Sequence, residues 1–111
     1  MSSKETINKV FKAVSDPTRR EVFHVLMAAS AAMSIAQITE HFEISRQGVT
    51  KHIKLLEEAG LVKTFEKGRE RFCESNPTPL NEIRNWLLVY DKFWDDKIKS
   101  LDKFLTQRPK K

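Results

Sequence analysis

Hydrophobic residues recur every three or four positions over most of the chain, a spacing that is typical of amphipathic helices. In the first segment, residues 5–14, the apolar positions are Ile7, Val10, Phe11 and Val14. Asp16 is then suited to cap a second helix, and Pro17 to occupy its first turn. The pattern therefore predicts two helices, of which the second ends at about residue 29.

A third, short helix is predicted after Ser34, because Gln37 lies three residues on and completes a capping-box pattern. The stretch FEIS separates this helix from a fourth one. The fourth helix has a capping serine at Ser45 and a terminating glycine at Gly60. Two helices joined by so tight a turn indicate a helix-turn-helix over about residues 34–59.

The pattern then changes to that of a β hairpin, over about residues 61–75. LVKTFEKGRERFCES contains β-favouring residues on both sides of a turn predicted at Lys67–Gly68. NPTP at 76–79 cannot lie inside a helix. A long helix is predicted over about residues 80–105, since apolar residues then alternate by threes and fours. The fold class is a mostly α protein with a small β hairpin, in a single domain that covers residues 1–111.

The fourth helix has a thin apolar stripe and a wide polar face. At about 100° per residue, Val49, Ile53 and Leu56 share the inward side. The polar face carries amide, hydroxyl and basic groups, which can pair with base edges and phosphates. The candidate DNA-binding residues of this segment are Ser45, Arg46, Gln47, Gly48, Thr50, Lys51, His52 and Lys54. A solvated helix face is the plainer interpretation of the same pattern.

The hairpin tip carries a second group of candidates, because basic residues surround a glycine that permits the turn. They are Lys67, Gly68, Arg69 and Arg71. A basic β tip beside such a helix is a wing, placed to reach phosphates or the minor groove. The formal net charge of +5 favours a polyanionic partner only weakly. Segment 42–75 holds seven basic and six acidic residues, so any DNA-binding face must separate charges by side.

Two long segments resemble the ArsR-type winged-helix transcriptional repressors. They are FKAVSDPTRREVFHVL and SIAQITEHFEISRQGVTKHIKLLEEAGLVKTFEKGRERF, within about residues 7–75. The resemblance implies that the fourth helix contacts DNA through Arg46, Gln47, Thr50, Lys51 and Lys54. It also implies a homodimer that binds an inverted repeat and represses transcription until an effector, here unknown, intervenes.

The metal-sensing features of that family are absent from this sequence. Metal-sensing members carry a C-x-C pair on the helix before the turn, where this chain has SIAQITEH. Others use aspartate and histidine of the last helix, which here contains aspartates but no histidine. Zinc and arsenic prefer thiolate or imidazole ligands. The tail therefore resembles a metal-independent branch, and we expect no metal and no cofactor.

The last helix carries more apolar surface than one small domain needs, which predicts pairing with a second copy of the chain. We expect the N-terminal helix to join this dimer interface. The candidate interface residues are Ile7, Val10, Phe11, Trp86, Leu87, Tyr90, Phe93, Trp94, Ile98, Leu101 and Leu105. A dimer would place two recognition helices about one DNA turn, ~34–36 Å, apart.

The sequence thus predicts a cytoplasmic, homodimeric DNA-binding repressor without enzymatic activity. No apolar run approaches the ~18 residues of a membrane span, so no membrane partner is expected. The alternative is a winged-helix module that binds protein, with the last helix as its docking surface. A third hypothesis keeps the fold but adds a metal or thiol sensor, for which Cys73 is the lone cysteine.

Overall fold

In a computed structural model of the chain, residues 3–107 are described. The helices are α1 (Ser3–Val14), α2 (Pro17–Ala28), α3 (Ile35–Thr39), α4 (Arg46–Glu58) and α5 (Leu80–Gln107). The strands are β1 (Met33–Ser34), β2 (Val62–Lys67) and β3 (Glu70–Ser75). The predicted fold class, a mostly α protein with a small β hairpin, is confirmed, and a short third strand joins the hairpin. The basic C-terminal tail, at 108–111, lies outside the described residues.

The helices begin where the capping residues of the sequence predict. The Asp16 carboxylate accepts a hydrogen bond of 2.8 Å from the backbone N–H of Arg19, which lowers the pKa of Asp16. Ser34 and Gln37 form the complete capping box at the start of α3. At the other end of the helix-turn-helix, Gly60 has a φ of +76° and terminates α4.

The sheet has three antiparallel strands in the order β1-β3-β2. The hairpin turn lies one residue later than predicted: Lys67 pairs with Glu70, so Gly68 and Arg69 form the two-residue turn. Gly68 has a φ of +65°, which the first position of such a turn requires. Strand β1 was not predicted, because its two residues are too few to show an alternating pattern.

One hydrophobic core is formed by the first four helices, α1, α2, α3 and α4, together with the strands β2 and β3. Helix α4 contributes Val49, Ile53 and Leu56, the three residues predicted for its inward stripe. At the far side of the core, Leu80 and Ile83 of α5 pack against it. The core therefore holds α4 by one side and leaves its polar side exposed.

Helix α5 leaves the core after its first turn and extends over 28 residues, about 42 Å. The ring of Trp86 packs edge-on against Phe11 of α1, with ring centroids 5.4 Å apart. Even so, every described side chain from 84 to 106, including that of Trp86, is exposed. The described chain is correspondingly elongated, with extents of 74 × 34 × 23 Å.

Val10 corrects the predicted dimer surface. Its side chain is fully buried in the core of the single chain, so it has no surface to offer a partner. Ile7 is half-buried and Phe11 is exposed on the same helix. Phe104, which is not among the predicted interface residues, is 63% exposed on α5.

Candidate nucleic-acid interface

The N-terminal half of α4 presents a continuous polar face to solvent. Arg46, Gln47, Thr50 and Lys51 are exposed and line an open depression of about 640 Å³. Lys54 is exposed one turn further along. The structure thus brings the five predicted base- and phosphate-contacting residues together on one side of one helix.

Two hydroxyl groups near the start of α4 have partners within the chain. The Ser45 hydroxyl accepts a hydrogen bond of 3.0 Å from the backbone N–H of Gly48, so its first role is that of a helix cap. The Thr50 hydroxyl donates to the carbonyl of Arg46 at 2.9 Å. The Thr50 side chain as a whole remains exposed, and its hydroxyl oxygen can still accept a hydrogen bond.

Gly48 has room for a side chain within the protein itself. A Cβ atom there would meet the Ser45 hydroxyl at 3.4 Å and Ile44 at 3.8 Å, which are ordinary contact distances. The packing of this chain therefore does not require glycine at position 48. This leaves close approach to another molecule as a reason for the residue.

His52 faces a buried arginine rather than open solvent. The Arg19 Nε donates to the carbonyl of Ala13 at 2.6 Å, and its Nη2 donates to that of Lys12 at 3.0 Å. Its Nη1 lies 3.4 Å from the His52 Nδ1. Arg19 therefore links the end of α1 to α4. No local sequence pattern signals this role, because it depends on how α1 and α4 approach each other in the fold.

The wing carries its basic residues in two different settings. Lys67, Gly68 and Arg69 are exposed at or beside the turn. Arg71 instead points toward α4, where its Nη2 lies 3.4 Å from the Glu57 Oε1. Lys67 also stands opposite Glu70 in the strand register. Two exposed basic side chains, Lys67 and Arg69, thus lie at the tip of the hairpin.

Cys73 lies in the middle of β3 with no exposed surface. Burial raises the pKa of its thiol to about 11, because the thiolate would lose its hydration. Among the described residues, no group of three or more His, Cys, Asp or Glu side chains could hold a metal ion. The environment of Cys73 does not favour the thiol-sensor hypothesis, because a reactive thiol needs a lowered pKa and exposure.

Helix α4 packs against α3 and leaves its polar side exposed, and the hairpin β2–β3 follows it in the chain and packs beside it. This is the arrangement of winged helix-turn-helix DNA-binding proteins, in which the second helix of the pair enters the major groove. Residues 14–64 match a family model described as a helix-turn-helix domain.

Comparison with known proteins identifies the family. The transcriptional repressor SdpR of Bacillus subtilis is 37% identical over 84 residues, which cover 76% of this chain and 91% of SdpR. The arsenical resistance operon repressor of Staphylococcus xylosus is 30% identical over 83 residues, which cover 75% and 77% of the two chains. An ArsR-like transcriptional regulator from Rhodococcus sp. RHA1 superposes with a TM-score of 0.74 at 26% identity, over 98% of this chain and 100% of that one.

The chain belongs to the ArsR-type winged helix-turn-helix family, and it is a DNA-binding transcriptional regulator. The resemblance to the ArsR-type family inferred from the sequence is thereby confirmed, and the metal-independent branch stays a prediction. Within residues 3–107, no helix is both long enough and apolar enough to cross a membrane.

Proposed function

We propose that the protein is a homodimeric repressor that binds an inverted-repeat operator in the cytoplasm. The observation that carries this proposal is the combination of two exposed surfaces on one chain. One is the polar face of α4, and the other is the apolar face of α5. The first suits the edges of base pairs, and the second suits another copy of the same helix.

Base contacts are proposed for α4 because its exposed groups match the major-groove edges. The Gln47 amide can pair with adenine, and the guanidinium of Arg46 or the ammonium of Lys51 with guanine. Thr50 offers a methyl group for thymine, and Lys54 a charge for phosphate. The two glutamates of the helix, Glu57 and Glu58, lie at its C-terminal end, away from the half that would enter the groove.

Phosphate contacts are proposed for the tip of the wing. Lys67 and Arg69 are exposed there, and Gly68 permits the turn that brings them side by side. His52 and Ser45 are placed at the margin of the interface, since both already have partners within the chain. Their contribution to DNA binding is proposed to be small.

The dimer is proposed to form through α5 and the exposed side of α1. The apolar residues available for it are Ile7, Phe11, Trp86, Leu87, Tyr90, Phe93, Trp94, Ile98, Leu101, Phe104 and Leu105. An apolar surface of this extent is uncommon on a monomer. A second copy is the occupant that suits it best, because two identical apolar faces can pair isologously about a twofold axis.

The trigger is proposed to involve neither a metal nor a resident cofactor. The helix before the turn lacks cysteine, and Cys73 is buried on a central strand. We also propose that the protein has no enzymatic role. The described histidines lie on separate elements, His24 on α2 and His52 on α4, with His41 after α3.

The rival function is a protein-binding winged helix with α5 as its docking surface. It draws support from the near balance of charge over residues 42–75 and from the pairing of Arg71 with Glu57. The clustering of Gln47, Lys51 and Lys54 on one exposed side favours DNA, because protein docking does not require that grouping.

Binding of Gln47→Ala and Lys54→Ala to DNA separates the two functions. The assay measures affinity for a duplex selected from a random pool and for a scrambled duplex, over a range of salt. We expect Gln47→Ala to weaken binding to the selected duplex by about 10-fold or more and to change the scrambled duplex little. Lys54→Ala should weaken both and reduce the salt slope by about 0.9, because Lys54 is proposed to contact phosphate.

Lys99→Ala is the matched control for charge, since Lys99 is exposed on the distal part of α5. It should leave both affinities and the slope unchanged. Equal losses on both duplexes for Gln47→Ala would remove it from base recognition. Wild-type protein that is folded and dimeric, yet shows no preference for any duplex, would favour the protein-binding function.

A further inference from the structure

A cluster of three polar side chains joins the wing to the end of α4. The Arg71 Nη2 donates to the Thr64 hydroxyl at 2.9 Å, and that hydroxyl donates to the Glu57 carboxylate. The same Nη2 lies 3.4 Å from the Glu57 Oε1 and 3.5 Å from its Oε2. The three residues belong to β3, β2 and α4, so the cluster connects both strands of the wing to the recognition helix.

The strand register explains why Arg71 points inward while other basic residues of the wing do not. Thr64 pairs with Cys73, and Arg71 lies two residues before Cys73, so all three share one face of the hairpin. Cys73 is fully buried, which identifies this face as the one against the body. Lys67, at an odd position of β2, is on the opposite face, and Arg69 lies in the turn.

The cluster lies where the wing separates from the body. Residues 65–71 are all exposed, so the direction of the hairpin tip depends on how the strands are attached at their base. Between α4 and the wing is a cleft of about 320 Å³, whose lining includes Thr50 and Lys54 on one side and Arg71 on the other. Arg71 and Glu57 both line this cleft, so the link between them lies in its wall.

Folding stability is a poor explanation for the cluster. The Arg71 and Glu57 side chains remain 49% and 38% exposed, and exposed ion pairs contribute little to the free energy of unfolding. The Arg71 guanidinium is already neutralised by Glu57, so it is less available to a phosphate than that of Arg69. A role for Arg71 in orienting the wing is consistent with both the exposure of the pair and the pairing of Arg71 with Glu57.

We propose that Arg71 is a positioning residue for DNA binding, which acts through Thr64 and Glu57 to fix the wing against the recognition helix. It does so in place of the direct DNA contact that its sequence position suggests. This inference rests on the proposed phosphate contacts of the wing tip. The conformational freedom of the wing itself can be measured without DNA. The positioning role of Arg71 can therefore be tested separately from the proposed phosphate contacts.

The test compares Arg71→Ala and Thr64→Val with Arg69→Ala, a matched loss of one arginine two residues away. DNA affinity is measured as a function of salt, and hydrogen exchange of the β2–β3 amides is measured without DNA. We expect Arg71→Ala and Thr64→Val each to weaken specific binding by about three- to tenfold and to leave the salt slope unchanged. Arg69→Ala should reduce the slope by about 0.9.

Amide exchange in the wing should accelerate in Arg71→Ala and Thr64→Val, and not in Arg69→Ala. The double variant Thr64→Val/Arg71→Ala should be no weaker than Arg71→Ala alone, because the two residues act as one unit. Since the pair is exposed, the melting temperature of each variant should change by no more than about 5 °C.

A salt slope reduced in Arg71→Ala as much as in Arg69→Ala would identify Arg71 as a direct phosphate contact and overturn the proposal. Wild-type affinity and wild-type amide exchange in Thr64→Val would overturn it as well. If Arg69→Ala and Lys67→Ala both leave DNA binding unchanged, the wing contact proposed above is wrong. The amide exchange then still decides whether the cluster fixes the wing.

Discussion

The winged body buries its apolar side chains within the chain, whereas the distal part of α5 leaves its apolar side chains exposed. In the body, Val49, Leu56 and Leu61 are completely enclosed by their own chain. On α5, Trp94 is 60% exposed and Ile98 is 62% exposed, and every described side chain from 84 to 106 is exposed. The same kind of 3–4 spacing produced both helical faces. Periodicity therefore predicts an apolar helix face. Whether that face packs against its own chain or is left for a second molecule depends on the tertiary structure.

The two regions also have different roles in the proposed function. The body holds α4 rigidly by one side, which a DNA-contacting face needs in order to keep its geometry. Helix α5 contributes Leu80 and Ile83 to that core and then extends away from it. In the proposed function, the body presents a surface to DNA and α5 brings two bodies together.

Charges placed in the apolar face of α5 should have the largest effect. The double variant Ile98→Glu/Leu101→Glu would put two unpaired carboxylates per chain into the proposed interface. We expect the dimer dissociation constant to rise by about a thousandfold or more, as measured by sedimentation equilibrium. Specific DNA binding should fall with it.

Lys99→Glu is the control for this change, because at about 100° per residue it lies on the opposite side of α5. It should leave the dimer intact. A double variant that stays dimeric at micromolar concentration would show that α5 does not form the interface.

The same substitution in the two regions should have different consequences. Leu56→Ala removes a fully buried side chain and should lower the free energy of unfolding by about 2–5 kcal/mol at any protein concentration. Leu101→Ala changes a residue that is 58% exposed in the single chain, so its cost should appear only at concentrations where dimers form. Urea unfolding over a hundredfold concentration range tests both. A large loss for Leu101→Ala in dilute, monomeric protein would contradict the contrast.

The thiol of Cys73 tests how tightly the body is closed. Burial raises its pKa to about 11, so at pH 8 the folded protein should react with a disulfide reagent at least about a hundredfold more slowly than the urea-unfolded chain. Because the thiolate is the reacting form, the rate should rise about tenfold per pH unit between pH 7 and 10. Rapid labelling of the folded protein at pH 7 would contradict this and would reopen the thiol-sensor hypothesis.

The smallest effect is expected for Gly48→Ala, at the edge of the body that faces DNA. The new methyl group has ordinary contacts with Ser45 and Ile44, and alanine favours the helix, so stability should rise by up to about 1 kcal/mol. Specific DNA affinity should fall if the backbone at Gly48 approaches DNA closely. Measuring the melting temperature and the DNA affinity of the same variant tests the expected rise in stability and the expected fall in affinity. An unchanged affinity would remove close approach as the reason for this glycine.

The helix boundaries were predictable because they depend on local chemistry. Asp16, Ser34 and Ser45 each cap the helix that their side chain and spacing indicated. Strand β1 was not predictable in this way, since it exists through pairing with β3 rather than through a pattern of its own. The turn of the wing was misplaced by one residue because Lys67 pairs with Glu70 across it.

The candidate site was predictable as a set of residues but not in its orientation. The exposed face of α4 followed from its apolar stripe. The inward direction of Arg71 required the register of β2 with β3, which only the tertiary structure defines. Val10 was assigned to the dimer because periodicity does not distinguish the core of one chain from an interface between two. Arg19 contacts α1 and α4 at once, a role that no local pattern contains.

Selection of duplexes from a random DNA pool, with the wild type and with Ile98→Glu/Leu101→Glu in parallel, tests the central claim most directly. The pool is sequenced after several rounds at near-physiological salt. The wild type should enrich an inverted repeat whose half-sites lie about one helical turn, ~34–36 Å, or a multiple of it apart. The double variant should enrich at most a single half-site. An inverted repeat recovered equally with both proteins would contradict dimerisation through α5. No enriched sequence with the folded wild type would contradict sequence-specific DNA binding itself.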